Sequence, residues 1–467
     1  MLPTRRIVPC RLVLVVAIVS TFLLSPVPSR AQSSESWLDA YRQTASRLIA
    51  AATEDDFAWR RLAELTDTYA HRLSGSENLA GAIEWARETM IQDGLENVRV
   101  EPVMVPRWVR GRESAEIAGP PRHALAMLGL GGSVPTPPGG LEADVVVVGS
   151  FDELRNRADE VRDRIVLFNV PFTTYGETVM YRTGGARAAA QLGAVAALVR
   201  SVGPTGLRTP HTGSLQYAQG VPPIPGAAIA AEDADRIARL TARGERVRVR
   251  LSMESRVEPD AASANVVGEI RGRERPDEIV LLGGHIDSWD VGTGASDDGV
   301  GCIVTWEAAR LMARLGLRPR RTVRIVLWTN EENGLRGATA YAQKHAAQAS
   351  SHVFALESDS GVFAPASLGF TGSPAARSLV REIGSLLVPL GLSEIGAGGG
   401  GADIGPIAQA GNAPTMAYLG NPERYFAIHH TPADTIERIA PDEVSKAAAA
   451  ITVMAYVIAE MPDRLPR

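Results

Sequence analysis

The stretch Gly284–Gly299 concentrates side chains that can hold a metal ion. Its sequence, GHIDSWDVGTGASDDG, places one histidine and four aspartates among small residues: His285, Asp287, Asp290, Asp297 and Asp298. Carboxylates gathered on the buried side of a fold are costly unless a cation neutralises them. The stretch therefore predicts a metal-binding loop, which side chains from elsewhere in the chain must complete.

Three short apolar runs that are predicted to be strands lead into residues of the same chemical type. These runs and the residues that follow them are Glu278–Gly284 with His285, Thr322–Thr329 with Glu331-Glu332, and Val353–Glu357 with Asp359. Helical patterns separate the runs, which predicts an α/β fold with a mostly parallel central sheet flanked by helices. The carboxyl ends of parallel strands share one edge, where ligands bind. We therefore expect these residues to converge there, together with the late pair His429-His430.

Imidazole nitrogens and carboxylate oxygens, without any thiolate, are a ligand set that suits zinc. One histidine and one aspartate of the opening stretch, one of the two glutamates, Asp359 and one late histidine make five ligands. Five are too many for a single tetrahedral catalytic zinc and match two zinc ions that share a bridging carboxylate. The second glutamate of the pair then stays free to act as a general base. The residue types alone leave open which glutamate, which aspartate and which histidine has each role, and whether Glu357 competes with Asp359.

At these residues the sequence resembles the co-catalytic zinc exopeptidases of the aminopeptidase Y and plasma glutamate carboxypeptidase (carboxypeptidase Q) group. The similar segments are Arg72–Ser76, Glu101-Pro102, Gly284–Gly299, Trp306–Trp328, Glu331-Glu332, Glu357-Ser358-Asp359 and Phe370–Ser373. The resemblance implies that His285 and Asp359 hold one zinc ion, Glu332 and His430 hold the other, and Asp297 bridges the two. Glu331 would be the catalytic general base.

The resemblance also implies roles for residues around the ligands. Asp287 would support catalysis by orienting the imidazole of His285, and the Asp297-Asp298 peptide bond would be cis. Residues 119–253 resemble an inserted protease-associated domain. One departure concerns the segment before Asp403, which lacks a histidine that members of the group carry there.

The resemblance, together with the N-terminal segment described next, implies an exported, zinc-dependent exopeptidase that cleaves dipeptides or short peptides. Aminopeptidase, dipeptidase and carboxypeptidase activities would share the same metals, so the sequence leaves the anchored terminus open. An inactive receptor or scaffold on the same fold is one alternative, although all ligands and the base are present. A zinc acyltransferase of the glutaminyl-cyclase type is another. A serine hydrolase is disfavoured, because no G-x-S-x-G sequence accompanies the loop serines.

The first 31 residues have the features of a signal peptide. Three arginines precede the apolar run Leu12–Leu24, and Ser29-Arg30-Ala31 is typical of a cleavage site. We therefore expect a periplasmic or secreted protein, with an uncleaved membrane anchor as the alternative. The net charge of −5 gives no reason to expect binding to nucleic acid or to an anionic membrane. Cys302 is the one cysteine after the predicted signal peptide, so no intrachain disulfide is expected.

Changes in the composition and in the pattern of apolar residues divide the rest of the chain into two units. We predict a discontinuous peptidase domain of residues 32–118 and 254–467, interrupted by a smaller β/α domain of residues 119–253. The inserted part lacks a cluster of histidines and carboxylates, so its expected role is structural or substrate-gating. A homodimer is expected from the resemblance.

Overall fold

The structure, a computed structural model, describes residues 36–119, 121–392 and 394–467. The predicted signal peptide, residues 1–31, lies outside the described residues. In the ranges that are described, no helix combines the length and the apolar character that crossing a membrane requires.

The secondary structure follows the chain in three parts. The first comprises α1 (Asp39–Thr53), α2 (Phe57–Tyr69), α3 (Glu77–Gln92) and β1 (Glu96–Val109). The second comprises β2 (Glu113–Ala118), β3 (His123–Leu125), β4 (Met127–Gly129), β5 (Leu141–Val148), α4 (Phe151–Asn156), β6 (Ile165–Phe168), α5 (Tyr175–Gln191), β7 (Ala196–Arg200), β8 (Gly226–Ile229), α6 (Ala231–Ala242) and β9 (Arg248–Met253). The third comprises β10 (Arg256–Ile270), β11 (Arg275–His285), α7 (Val300–Arg314), β12 (Arg321–Trp328), α8 (Arg336–Lys344), β13 (His352–Ser358), β14 (Ser367–Thr371), α9 (Pro374–Gly384), β15 (Ile395–Ala397), α10 (Gly405–Gly411), β16 (Thr415–Leu419), α11 (Pro422–Ile428) and α12 (Pro441–Glu460).

The first and third parts build one sheet, in the order β1-β10-β12-β11-β13-β16-β14-β15. Its four central strands, β12, β11, β13 and β16, are parallel to one another. The pairs β1/β10, β10/β12 and β14/β16 are antiparallel. The predicted α/β fold with a parallel centre is thus confirmed, and antiparallel strands lie on both sides of that centre.

Helices cover both faces of this sheet because its central strands are apolar on both faces. In β11, Val280 and Leu282 pack towards the large cluster that contains α7 and α12. Ile279 and Leu281 pack on the opposite face, against residues of α8 and α10. Helix α12 is apolar on nearly all sides, as expected of a helix enclosed in a core.

The second part builds a sheet of its own, in the order β3-β2-β9-β5-β6-β7-β8-β4. The expected boundary at residue 118 falls after β2, whereas β2 pairs with β9 of this second sheet. We call residues 113–253 the inserted unit. Its assignment to a protease-associated domain stays a prediction.

Strands β10, β14 and β15 were not predicted from the sequence. The first half of β10, Arg256–Ser263, carries proline, aspartate, alanine and serine, which have low strand preference. It is nevertheless extended, because it pairs along its length with β1, and its second half also pairs with β12. Such pairing depends on neighbours that are distant in sequence.

Candidate metal centre

The predicted ligands meet at the carboxyl ends of the four parallel strands. His285 is the last residue of β11, Glu331 and Glu332 follow β12, and Asp359 follows β13. His430 comes after α11, which follows β16. Asp297 lies in the loop between β11 and α7, preceded by Gly294 in a left-handed conformation with φ of 57°. The strand order therefore brings together five side chains that are up to 145 positions apart.

One group of ligand atoms forms around His285. Its Nε2 atom lies 3.3 Å from Asp297 Oδ1 and 3.4 Å from Asp359 Oδ1. Its Nδ1 atom lies 2.9 Å from the backbone carbonyl of Asp287, which accepts the ring N–H when Nε2 is unprotonated. A histidine held in this way presents its free nitrogen to a metal.

A second group forms around His430. Its Nε2 atom lies 3.0 Å from Asp297 Oδ2 and 3.0 Å from Glu332 Oε2. Asp297 thus turns one carboxylate oxygen to each group, which is the arrangement that a bridging ligand requires. The Asp297-Asp298 peptide bond is cis.

Polar atoms without hydrogen bonds converge at this place. His285 Nε2, Asp297 Oδ2 and Glu332 Oε1 are buried and have no hydrogen-bond partner among the described residues. Buried polar atoms in proteins are normally satisfied, so a cluster of unsatisfied nitrogen and oxygen atoms indicates a missing partner. These donor atoms fit a divalent cation such as zinc.

The electrostatics of the acidic residues agree with this fit. Burial raises the pKa of Glu332 to about 7, and the charge of Asp297 adds to the effect. Burial also raises the pKa of Asp359, and it raises that of Glu331 well above its usual range. For Asp297, contact with His285 and the charges of two further histidines outweigh burial, so its pKa falls well below the usual range. The raised pKa values of Glu331, Glu332 and Asp359 show that this place is short of positive charge, which a bound cation would supply.

The structure separates the two residues of the late histidine pair. His429 stacks on His430 with ring centroids 3.6 Å apart, and its Nε2 lies 3.5 Å from Asp297 Oδ2. It could therefore join Asp297 and His430 around an ion. Only His430 also contacts Glu332, so the geometry favours His430 as the ligand.

Glu357 has a different environment from Asp359. Its carboxylate accepts hydrogen bonds from the backbone N–H groups of Asp403 (3.4 Å) and Ile404 (2.8 Å). Gly401 approaches so closely that a Cβ there would lie 2.1 Å from Cδ of Glu357. Glu357 thus holds the segment before α10, and the geometry favours Asp359 as the ligand.

Asp287 fixes the backbone on which the two glutamates sit. Its carboxylate accepts hydrogen bonds from Glu331 N (3.1 Å), Glu332 N (3.4 Å) and Ser74 Oγ (3.3 Å). The atom of Asp287 in contact with His285 is the carbonyl oxygen; its Oδ1 is 3.9 Å from Nδ1. The expected orienting role of Asp287 therefore has two parts. Its carbonyl fixes the orientation of the His285 imidazole, and its carboxylate fixes the position of the Glu331-Glu332 backbone.

The remaining aspartates of the opening stretch have structural partners. Asp298 accepts hydrogen bonds from His285 N (3.0 Å) and Gly301 N (3.1 Å), which ties the end of β11 to the start of α7. Asp290 pairs with Arg110 at 2.5 Å.

Two residues around the site received no role from the sequence. Asp434 accepts hydrogen bonds from Ser296 N and Oγ, both 2.7 Å, and from Asp297 N at 3.2 Å. Arg72 is fully buried and donates to four backbone carbonyls, those of Ala70, Ile286, Thr293 and Gly294. The position of Asp434, four residues after His430, was the available signal for the first; Arg72 belongs to a segment that carries the resemblance.

The inserted unit forms one wall of the site. A cavity of about 620 Å³ is lined on one side by Asp297, Glu331, Glu332, Asp359, His429 and His430, and on the other by residues of α5 and the segment 214–216. Thr212 of the inserted unit donates its N–H to the carbonyl of His430 (2.9 Å), and its own carbonyl lies 3.3 Å from His430 Nδ1. The volume suits a short peptide.

Comparison with known proteins places the chain in a family. The model of peptidase family M28 matches residues 265–455. Carboxypeptidase Q of Mus musculus is 47% identical over 410 residues, which cover 88% of this chain and 87% of that protein. The chain belongs to peptidase family M28. Carboxypeptidase Q of Homo sapiens is likewise 47% identical over the same share of both chains.

Two solved structures share the fold of this chain. A peptidase M28 precursor from Shewanella amazonensis SB2B has a TM-score of 0.88 and 35% identity, over 92% of this chain and 99% of that one. A zinc aminopeptidase from Bacillus subtilis has a TM-score of 0.66 and 21% identity, over 87% and 96%. The predicted family, the fold class and the assignment to metallo-exopeptidases of the hydrolase class are confirmed.

Proposed function

We propose that this M28 peptidase is an exported enzyme that hydrolyses dipeptides or short peptides and uses two zinc ions per chain. The observation that carries the proposal is Asp297, whose two oxygens face His285 and His430, each of which also faces another carboxylate. The identity to carboxypeptidase Q over most of both chains supports the exopeptidase activity. The predicted signal peptide supports export, and a homodimer stays a prediction.

The residues that would hold the zinc ions form two sets. His285 and Asp359 would hold one ion, Glu332 and His430 the other, and Asp297 would contribute to both. When bound, a zinc pair polarises the carbonyl of the substrate and makes water a better nucleophile near neutral pH.

Glu331 would move the proton in this reaction. It lines the cavity without belonging to either ligand group, and its backbone is fixed by Asp287. In the proposed reaction its carboxylate takes a proton from the attacking water as the water oxygen bonds to the peptide carbon. The same proton then passes to the amide nitrogen as the C–N bond breaks, which releases an amine and a carboxylic acid; the acid then gives its own proton to the solvent or to the amine and becomes a carboxylate.

The substitution Glu331→Gln tests this role. The amide keeps the shape of the side chain but cannot accept the proton, so we expect turnover to fall by roughly 10²–10⁴-fold while zinc content stays unchanged. Metal analysis and dipeptide hydrolysis measure both quantities. Glu88→Gln on the exposed side of α3 is the matched control and should behave as wild type. Turnover of Glu331→Gln near that of the control would exclude Glu331 as the base.

A further inference from the structure

The turn that follows β12 contains an asparagine-glycine pair. The sequence Asn330-Glu331-Glu332-Asn333-Gly334 carries the proposed base and a proposed zinc ligand, and Asn333 and Gly334 line the same cavity as the two glutamates. No other asparagine in the sequence is followed by glycine. An asparagine in this position can react with the backbone of the next residue, because glycine has no side chain that hinders the approach.

The backbone nitrogen of Gly334 is weakly engaged. Its acceptor is the carbonyl of Glu331 at 3.5 Å, which is longer than the usual distance of about 2.9 Å for such a hydrogen bond. Gly334 is exposed and Asn333 is half-buried, so water reaches the pair. The nitrogen is therefore available for a reaction with the neighbouring side chain.

The side chain of Asn330 holds the carbonyl group of Asn333. Asn330 is fully buried; its Nδ2 donates to Ser74 Oγ at 3.0 Å, and its Oδ1 accepts the N–H of Arg336 at 3.2 Å. The same Nδ2 also donates to Oδ1 of Asn333. A fixed donor at a carbonyl oxygen stabilises the negative charge that develops there when a nucleophile attacks the carbon. Nδ2 of Asn333, which would leave in such a reaction, has no hydrogen-bond partner among the described residues.

The fold of the turn requires the glycine of this pair. A Cβ at Gly334 would lie 2.4 Å from Oδ1 of Asn330, a side chain that three hydrogen bonds keep in place. A larger residue would have to displace this anchored amide. The reactive pair is therefore part of the way in which the turn closes around Asn330.

We propose that Asn333 is a site of spontaneous modification, at which the side-chain amide is converted to aspartate and isoaspartate. The backbone nitrogen of Gly334 loses its proton and bonds to Cγ of Asn333, the bond between Cγ and Nδ2 breaks, and Nδ2 leaves as ammonia with that proton. The resulting five-membered imide ring takes up one water molecule and opens. Opening at Cγ gives aspartate, and opening at the backbone carbonyl gives isoaspartate, in which the main chain runs through Cβ and Cγ.

The modification changes the turn that carries Glu331 and Glu332. Either product adds a negative charge to a cavity wall that already contains four carboxylates. Isoaspartate also adds a methylene to the main chain, inside a turn that is closed by the hydrogen bond from Leu335 N to the Asn330 carbonyl at 2.6 Å. The turn then closes in a different geometry, so turnover is lost as the isoaspartate fraction grows. This consequence rests on the proposed function, whereas the modification itself does not.

Mass spectrometry of the zinc-loaded protein, held in neutral and in mildly alkaline buffer and digested at intervals, measures the modification. We expect the peptide that contains Asn333 to gain the mass that corresponds to replacement of NH2 by OH, with fragment ions that assign the gain to this residue. The gain should be faster in the alkaline buffer, because more of the backbone nitrogen is deprotonated. Asn412, which is exposed and followed by alanine, is the internal control and should keep its amide. A synthetic peptide of residues 325–336 is the unfolded reference.

An intact amide at Asn333 after the reference peptide has been converted would show that the fold protects the pair, and would overturn the proposal. Turnover of wild type should fall in step with the isoaspartate fraction. Asn333→Gln, whose longer side chain forms the ring far more slowly, should keep its own starting activity over the same period. Asn333→Asp carries the charge on a normal main chain, so turnover near that of fresh wild type assigns the loss to isoaspartate.

Two further results separate the modification from its consequence. Complete conversion of Asn333 without loss of turnover would refute the effect on the turn. Absence of all peptidase activity would refute the proposed function, while a mass gain at Asn333 would still support the modification.

Discussion

At the scale of single residues, the orientation of the predicted metal ligands depends on side chains that are not themselves predicted ligands. The carboxylate of Asp434 accepts hydrogen bonds from the backbone N–H of Asp297 and from the N–H and hydroxyl of Ser296. Burial raises the pKa of Asp434 to about 6. The carboxylate of Asp287 likewise accepts hydrogen bonds from the backbone N–H groups of Glu331 and Glu332. The backbone of the predicted ligands and of the predicted base is thus held by two carboxylates that accept hydrogen bonds from N–H groups.

Asp434→Ala should weaken zinc binding. The change leaves two backbone N–H groups and the Ser296 hydroxyl without their acceptor and releases Asp297 from its orientation. Loss of such an outer partner typically costs 10–100-fold in metal affinity, and we expect a change of about that size by competition with a chelator. Asp463→Ala, at an exposed position near the C-terminus, is the control. Wild-type affinity in Asp434→Ala would show that Asp297 needs no such support.

The residue types of the site were predictable, but several assignments were not. His285, Asp297, Glu332, Asp359 and His430 follow from the chemistry of metal ligands and from the resemblance to a known family. Asp434 was not predicted because its partner, Ser296, lies 138 positions away. The carbonyl contact of Asp287 was also missed, because a sequence does not show which atom of a residue faces its neighbour.

At the scale of elements, the close approach of α7 to the strand ends positions the loop. Gly301, in the first turn of α7, lies so near β13 that a Cβ there would be 1.8 Å from the carbonyl oxygen of Ser358. The same Cβ would be 2.3 Å from Oδ1 of Asp298. The other carboxylate oxygen of Asp298, Oδ2, accepts the hydrogen bond from His285 N. Neither neighbour is the end of a flexible side chain that could move away freely.

Gly301→Ala should therefore destabilise the protein by about 1–3 kcal/mol, the usual cost of overpacking. Urea unfolding of the metal-free protein measures this change without a contribution from zinc. Gly176→Ala is the matched control, because Gly176 is a helical residue with a negative φ and open space around it. The control should be neutral or slightly more stable, since alanine favours a helix; equal stability of both variants would contradict the close approach.

Prediction of the elements succeeded where local sequence is sufficient. The apolar runs of β11, β12 and β13 and the long apolar helix α12 are visible in the sequence. Strand β10 was missed, since its first half is polar and its extended form depends on pairing with β1. The order of the strands, and hence the meeting of their ends, was predicted from a general rule for parallel sheets and not from any single residue.

At the scale of the whole molecule, packing at the outer side of the main sheet adds a stability that depends on pH. Glu101 of β1 is almost fully buried and contacts Lys344 and His345 at the end of α8, both at 3.2 Å, and Arg99 at 3.1 Å. Burial acts to raise its pKa, but these partners outweigh it and lower the pKa to about 2. Because the folded pKa is lower than the usual 4.5, the resulting stability is present above about pH 4.5 and is lost as the pH falls towards 2.

Glu101→Gln should remove that pH-dependent contribution. We expect the variant to be less stable than wild type by about 2 kcal/mol at pH 7, and the difference to shrink between pH 4.5 and pH 2. Urea unfolding of the metal-free protein across this range measures it. Glu88→Gln, at an exposed site, should show no pH-dependent difference, and a constant difference in Glu101→Gln would contradict an effect of charge.

The contact between the two units was beyond prediction from the sequence. The inserted unit was expected to be structural or substrate-gating, because it lacks a cluster of its own. It contributes to the site through Thr212 and Arg182, which both contact His430. They lie 218 and 248 positions before that histidine in the sequence. No local pattern marks a backbone carbonyl that meets a distant histidine.

The connection between the two units has a consequence for the surroundings of a predicted ligand. Strands β1 and β10 continue into β2 and β9 as one antiparallel ribbon, with Val109 opposite Arg256 and Glu113 opposite Met253. The same two units also meet at Thr212, which donates its N–H to the carbonyl of His430. The surroundings of His430, a predicted ligand, are therefore shared between the two units: the main sheet carries the histidine, and the inserted unit supplies the backbone of Thr212 that contacts it.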